Sequence, residues 1–405
     1  MSTSARVVLL ASATAISALG NGFGRIAVTF GVLGLPGVTA KGLSFVLVCL
    51  MVPQILFVLF GGVIADRVSR FRLLAFSDVL SALAYSGLAA GVCRHAPIPA
   101  LAGCAAVAGT ASALSLPASS GLVPEVAAAE RIQRTNSLLM AATRGADLLG
   151  TVLGGSVVAW LGAPSTLLLD AVSFAASAVL IALLRLPSRA RAEATSLLGD
   201  LRLGWREFAG RQWLWVTVAA LSLTAASLTA GIGVLGPIVA LRSWGGPQAW
   251  SLVAGASTLG MLCGAGVSAR LRPQRPVVAG LLMMSLLAVP PLLLAANVPP
   301  WAVMPAMFCA GLANDVFGVL WNTAMQREVP EEVLARVASY DWLGTMVLAP
   351  VGVLVAAPLS TAFGPSPVLV GCAVLVAVST AAALASPGVR RLRRVTGVSE
   401  ITTVL

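Results

Sequence analysis

Gly61-Gly62-Val63-Ile64-Ala65-Asp66-Arg67-Val68-Ser69-Arg70-Phe71-Arg72 is the stretch on which the reading of this chain turns. An apolar run ends abruptly in Asp66-Arg67, two more arginines follow, and a second apolar run starts at once. A charged turn this short, set between two hydrophobic spans, is a poor anchor. It suits a gate that latches and releases.

Outward from that turn, the composition leaves one class of protein. The chain has 405 residues, 58% of them hydrophobic and 10% charged, whereas soluble domains run about a quarter charged. With a mean hydropathy of +0.94, it carries more apolar surface than a water-soluble fold can hide. Its apolar runs have the length of spanning helices, not of barrel strands.

The net charge of +11 is not the footprint of a nucleic-acid binder, because of where the charge lies. With the spans given below and an inside N-terminus, Lys41, Arg94 and Arg242 fall outside, and Arg25 and Arg144 fall within spans. The other 21 of the 26 basic residues lie inside. This positive-inside bias puts both termini on the cytoplasmic side of the cell's inner (plasma) membrane and brings basic loops against anionic lipid. The apolar run after Arg6 is too long for a signal peptide, and further spans follow, so it reads as the first membrane helix. The six cysteines are scattered without C-x-x-C spacing and read as packing residues.

Charges and Pro/Gly clusters punctuate twelve spans, at about 7–34, 42–64, 73–93, 99–121, 136–161, 165–185, 214–240, 248–268, 277–296, 301–325, 334–360 and 366–386. They divide into a first six-helix unit over 1–186, a cytoplasmic linker over 187–212, a second six-helix unit over 213–386 and a basic tail over 387–405. In the linker, Leu197, Leu198, Leu201, Trp205 and Phe208 recur at helical spacing, which predicts an amphipathic helix on the inner membrane surface. The halves repeat weakly. Val123-Pro124-Glu125 with Arg134 after span four corresponds to Val329-Pro330-Glu331 with Arg336 after span ten.

With these paired loops, the chain resembles the major facilitator superfamily of transporters, whose signature at the opening turn reads G-x-x-x-D-R-x-G-R-R. It is most similar to the branch that exports drugs and siderophores (macrolide- and enterobactin-exporter-like proteins). The resemblance implies an all-α membrane protein with twelve transmembrane helices in two pseudo-symmetric six-helix bundles. It also implies a substrate path between the bundles and a gate formed by Gly62, Asp66, Arg67, Arg70 and Arg72. Ser69 stands where the family has glycine, and lacks glycine's freedom at positive φ, so the turn is expected to differ in shape. Gly145, Gly150, Gly154 and Gly155 resemble the G-P-x-x-G-G antiporter signature, with Thr151 where proline is usual. Such glycines make a close packing face between helices, but the kink that proline supplies is lost.

The gate has a physical basis. Asp66 lies at the inner end of span two, the face on which span eleven begins. A carboxylate beside that helix N-terminus gains about 0.3–1 kcal/mol, and about 2 when partly buried. Charges inside spans cost about 2.5–3.5 kcal/mol each on insertion scales, so they are functional or paired. Arg144 and Asp147 stand three apart on one face of span five and can pair. Asp147 lies about 20 Å along the helix from Arg134, near mid-membrane. Asp315 sits midway along span ten. Both acids are candidate proton carriers. In span one, Asn21 occupies a position where relatives often place an acid, and Asn cannot carry a proton. Arg25 either snorkels or meets an anionic group of the substrate. Asp78, Asp170 and Asp341 lie near span ends and read as structural. Phe23, Phe317, Trp321, Tyr340 and Trp342 are the aromatic residues expected near the cavity.

No nucleotide motor is encoded, since Lys41 is the one lysine and no G-x-x-x-x-G-K precedes it. One histidine, His95 in an outer loop, cannot build a metal site or a Ser/His/Asp set in the membrane, so an enzyme, a metal and a cofactor are not expected. The expected function is transport of a small hydrophobic or amphiphilic compound by a monomer, coupled to protons, and the family resemblance implies that the direction is export. A siderophore or other metabolite exporter is the alternative substrate class, and a non-transporting sensor or scaffold the alternative function.

Overall fold

The computed structural model describes residues 3–67, 69–126, 132–184 and 205–392. Among them all regular structure is helical. Eleven described stretches are long and apolar enough to cross a membrane, and one of these, Thr135–Leu183, is really two. Gly162 interrupts it at φ 80°, ψ 159°, a left-handed conformation that needs glycine, with Pro164 just beyond. The crossings are therefore twelve. They are α1 (Thr3–Leu33), α2 (Ala40–Arg67), α3 (Arg70–Cys93), α4 (Ile98–Val126), α5 and α6 on either side of Gly162 within Ile132–Leu183, α7 (Gln212–Ser243), α8 (Pro247–Ser268), α9 (Pro276–Ala295), α10 (Pro300–Glu328), α11 (Glu331–Met346 continued by Ala349–Phe363) and α12 (Pro365–Ala385).

Among the described residues, three helices depart from regular geometry at proline, α11 doing so at the turn Val347-Leu348 before Pro350. In α9, Pro290 and Pro291 remove two successive N–H donors, and the preceding turn Ser285–Ala288 tightens to a 3-10 helix. In α7, Thr229–Leu235 widens to a π-helix immediately before Pro237. The proline cannot donate to the carbonyl four residues earlier, and Gly231, Gly233 and Gly236 let the backbone absorb the change.

The end of the molecule that carries the described chain ends is here called basal, the opposite end distal. Distal connections are short. Exposed Trp160, Trp301 and Phe363 ring the distal end, as aromatics do at a membrane–water boundary. The lateral surface is apolar, with Leu83, Met140 and Val172 more than half exposed.

Helices α1–α6 pack mainly on one another, and so do α7–α12. The two sets meet where α5 crosses α8 and α2 crosses α11. At the distal end one continuous apolar core takes Leu35, Leu43 and Val46 from the first set and Leu235, Ile238 and Val353 from the second. At the basal end the described residues form two separate cores. Leu10, Leu74, Leu122 and Ile181 belong to the first set alone, and Trp213, Leu281, Phe317 and Val376 to the second alone. Among the described residues the halves thus share a core distally and keep separate cores basally.

Of the linker, residues 205–210 are helical, with Trp205 and Phe208 packed on Tyr340 at ring separations of 5.6 and 6.1 Å. Leu197, Leu198 and Leu201 lie outside the described residues, as does the tail from 393 onward.

Candidate functional site

A cavity of about 770 Å³ lies between the two sets of helices. Its walls are largely apolar or aromatic, with Met51, Tyr85, Phe174, Trp250, Met261 and Met307 prominent. A few polar groups converge on it: Asn21 and Arg25 from α1, Asp78 from α3, and Arg144, Asp147 and Thr151 from α5. This is the common chemistry of a small-molecule pocket, an oily wall with a few orienting groups.

Glycines bring α1 and α5 together. A methyl group at Gly150 would fall 2.2 Å from the Leu19 carbonyl oxygen, and one at Gly22 would fall 2.6 Å from the backbone of Gly150. Contact this close requires bare backbone on both sides. It sets Arg25 beside α5, where its guanidinium pairs with Asp147 and donates to the Thr151 hydroxyl at 3.0 Å. Thr151, standing where proline is usual, therefore serves as a hydrogen-bond acceptor for the arginine of α1.

This arrangement corrects the pairing expected within α5. Arg144 and Asp147 share a helical face, but Asp147 is taken by Arg25. Arg144 is exposed toward the cavity, within electrostatic reach of Asp315 on α10. Arg25 neither snorkels nor stands free. Asp315 does not line the cavity. It lies against α8, where a methyl at Gly264 would come within 2.9 Å of its Cβ, and its Oδ2 is buried with no hydrogen-bond partner.

The four glycines of the antiporter-like stretch have different tasks. Gly150 and Gly154 face α1. Gly155 faces α8, where an added methyl would lie 2.2 Å from both the Pro247 carbonyl oxygen and the Ser251 hydroxyl. Ser251 in turn donates to the Val152 carbonyl at 3.1 Å. Gly145 has nothing within 4 Å of such a methyl.

At the basal turn the backbone is helical through Arg67, but the surroundings of Gly62, the side chains of Asp66 and Arg67, and all of Val68 lie outside what the structure describes. Ser69 is buried at the N-terminal boundary of α3, at φ −60°, ψ 126°, and its hydroxyl makes no capping hydrogen bond. That is ordinary extended backbone, which serine adopts without strain. Arg70 is half-buried, and Arg72 is exposed with its guanidinium 5.8 Å from the Phe71 ring.

Several features had weaker signals in the sequence. Phe317 and Trp321 are not at the cavity. They stack at 5.9 Å in the basal core of the second half, where Trp321 donates to Asp341 at 3.1 Å. The aromatic wall comes instead from Tyr85, Phe174 and Trp250. The π-turn of α7 lines the cavity through Thr229, Ile232 and Gly233, and the Thr229 hydroxyl also reaches the Ala349 carbonyl of α11 at 3.1 Å. The cluster Gly231, Gly233, Gly236-Pro237 is the signal that could have found it.

The sequence profile of the Major Facilitator Superfamily matches residues 7–346. The chain is 26% identical over 401 residues to the multidrug efflux pump Tap of Mycobacterium tuberculosis, covering 95% of this chain and 94% of that one. It is 27% identical over 386 residues to Tap of Mycolicibacterium fortuitum, covering 88% and 89%. Among solved structures, a POT family transporter in complex with 5-aminolevulinic acid superposes with a TM-score of 0.75 at 13% identity, over 93% of this chain and 94% of that one. A bacterial homologue of the iron transporter ferroportin, in an inward-facing state, gives 0.74 at 15%, over 95% and 100%. At these identities the structural likeness is one of fold. The fold, the membrane-spanning helices and the profile agree: the chain belongs to the Major Facilitator Superfamily, as a multi-pass membrane transporter and not an enzyme.

Proposed function

We propose that this protein exports small amphiphilic compounds across the inner (plasma) membrane by proton antiport, with its basal end and both termini in the cytoplasm. The observation that carries the reading is the central cavity, sealed distally by a core common to both halves and bounded basally by halves with cores of their own. A body built this way has a natural hinge. Rocking one six-helix unit (1–186) against the other (213–386), joined by the linker over 187–212, alternates access to the cavity from the two sides. The likeness to the Tap pumps favours drug-like solutes and the outward direction.

In this reading Asp66, with Gly62, Arg67, Arg70 and Arg72, latches the basal side when the cavity faces outward. Arg25, Asp147, Arg144, Asn21 and Asp315 supply the coupling and substrate contacts. Protons and the solute are the partners, membrane lipids surround the chain, and it acts as a monomer.

The test is ethidium accumulation in an efflux-deficient bacterial host. Expression should lower intracellular dye, and a protonophore should restore it. Dye levels equal to those of the empty-vector host, with the protein present in the membrane, would exclude multidrug export of this kind. Loss of dye that a protonophore leaves unchanged would exclude proton coupling.

A further inference from the structure

Helix α6 turns a polar stripe, Asp170, Ser173 and Ser177, toward α1 and α3. Asp78 of α3 is satisfied there, since Ser177 donates to it at 2.6 Å. Asp170 is not. It is 0% exposed and sits in a gap that exists only because Gly20 and Gly24 lack side chains. A methyl at Gly20 would fall 2.5 Å from its Oδ1, and one at Gly24 would fall 1.9 Å from its Oδ2. The Ser173 hydroxyl spends its proton chiefly on the Asp170 carbonyl, at 2.7 Å, and only weakly on Oδ1, at 3.4 Å. Oδ2 has no hydrogen-bond partner.

Tyr85, stacked on Phe174 at 5.6 Å, stands between this acid and the cavity. Among the described residues, Arg25 is a cation within electrostatic reach of both Asp170 and Tyr85. That same arginine is paired with Asp147. Two acids thus depend on one guanidinium. A buried ionised carboxylate with a bare oxygen costs roughly several kcal/mol even after relaxation, unless a cation or proton neutralises it. When Arg25 serves Asp147, Asp170 is stable only with a proton on it.

We propose that Asp170 is the proton carrier of this transporter and that Arg25 alternates between Asp147 and Asp170, so that a cationic amphiphile and a proton exchange places. The proposal rests on the antiport reading above. In the conformation described here Arg25 holds Asp147, and Asp170 carries the proton. A cationic solute entering from the basal side takes Asp147 as its counter-ion and displaces Arg25. Arg25 swings to Asp170, the O–H bond of the acid breaks, and the proton leaves to basal water. After the cavity reopens distally, a proton from that side re-forms the O–H bond on Asp170. Arg25 returns to Asp147 and expels the solute. One positive charge moves each way, so the exchange is electroneutral.

The test uses the purified full-length protein and ethidium as the cationic probe. Proton release is followed with an indicator dye in weakly buffered detergent solution, and protonated carboxyl groups by the infrared carbonyl stretch. Wild-type protein is expected to show an acid carbonyl band that fades on adding ethidium, with a proton released for each dye molecule bound. Asp170→Asn should lose both the band and the release while still binding dye. Arg25→Gln, which keeps Asp170 in place should the first variant misfold, should bind dye and release no proton. An acid band or wild-type release that survives Asp170→Asn, or full release from Arg25→Gln, overturns the proposal. If wild-type protein binds no ethidium, the exchange of a cationic amphiphile is refuted outright, and the infrared band still reports separately on whether Asp170 holds a proton. Absence of dye export from whole cells, by contrast, counts against the efflux reading itself.

Discussion

Replacing Gly155 with alanine should bias the conformational equilibrium, whereas the same change at Gly145 should not. A methyl at Gly155 would sit 2.2 Å from the Pro247 oxygen and from the Ser251 Oγ, and 2.7 Å from the Pro247 carbonyl carbon. Ordinary carbon contacts begin about 3.4 Å apart, so α5 and α8 must separate by roughly 1 Å, and overpacking of this kind costs about 1–3 kcal/mol. Alanine also favours a helix over glycine by about 1 kcal/mol, but that gain is present in every conformation and cancels. The clash exists only where α5 touches α8, at the contact between the halves. The whole cost therefore falls on the distally closed state, and about 1–3 kcal/mol corresponds to about a 5- to 150-fold shift in population.

Spin labels at Lys41 and Arg242, exposed at the distal ends of α2 and α7, would report the change as a longer-distance population in double electron–electron resonance. Gly145→Ala meets nothing within 4 Å and should overlay the wild type. If the Gly155→Ala and Gly145→Ala distance distributions coincide, the α5–α8 contact is not part of the distal seal.

Other expectations follow from individual contacts. Asp147→Asn removes the partner of Arg25, whose side chain is 59% exposed. After solvent screening the pair is worth about 1 kcal/mol, so ethidium efflux per transporter should fall about fivefold, with Asp147→Glu retaining more. Equal rates for all three proteins would remove Asp147 from the coupling site. Trp321→Phe deletes the indole donor to Asp341 and should destabilise the second half by about 1–3 kcal/mol, seen as a lower melting temperature in detergent. A melting temperature equal to the wild type's would show that the bond contributes nothing. Asp66→Asn should reduce efflux at normal surface expression, and unaltered transport would eliminate the latch.

The membrane spans were legible because each is a long apolar run bounded by charge or by Pro and Gly. The break at Gly162 falls in the predicted gap between spans five and six for that reason. Partners across helices were harder to read. Spacing within α5 brings Arg144 next to Asp147, but only the glycine contact between α1 and α5 delivers Arg25 to the same carboxylate. Asp170 and Asp78 looked structural from their distance to span ends. Sequence position says nothing of whether a carboxylate finds a donor, and one of the two does while the other keeps a bare oxygen. The aromatics of α10 were misplaced because a helix with apolar residues on every side does not announce which face meets the cavity.

The asymmetry between the two ends has a consequence for where the pump rests. Opening the distal end means splitting a seam of interlocked aliphatic side chains from both halves and wetting them. Opening the basal end requires no comparable rupture among the described residues, since each half keeps its own oily interior. Under the alternating-access proposal, an idle molecule would therefore rest open at its basal end, and opening the distal end would be the step that the incoming solute must drive.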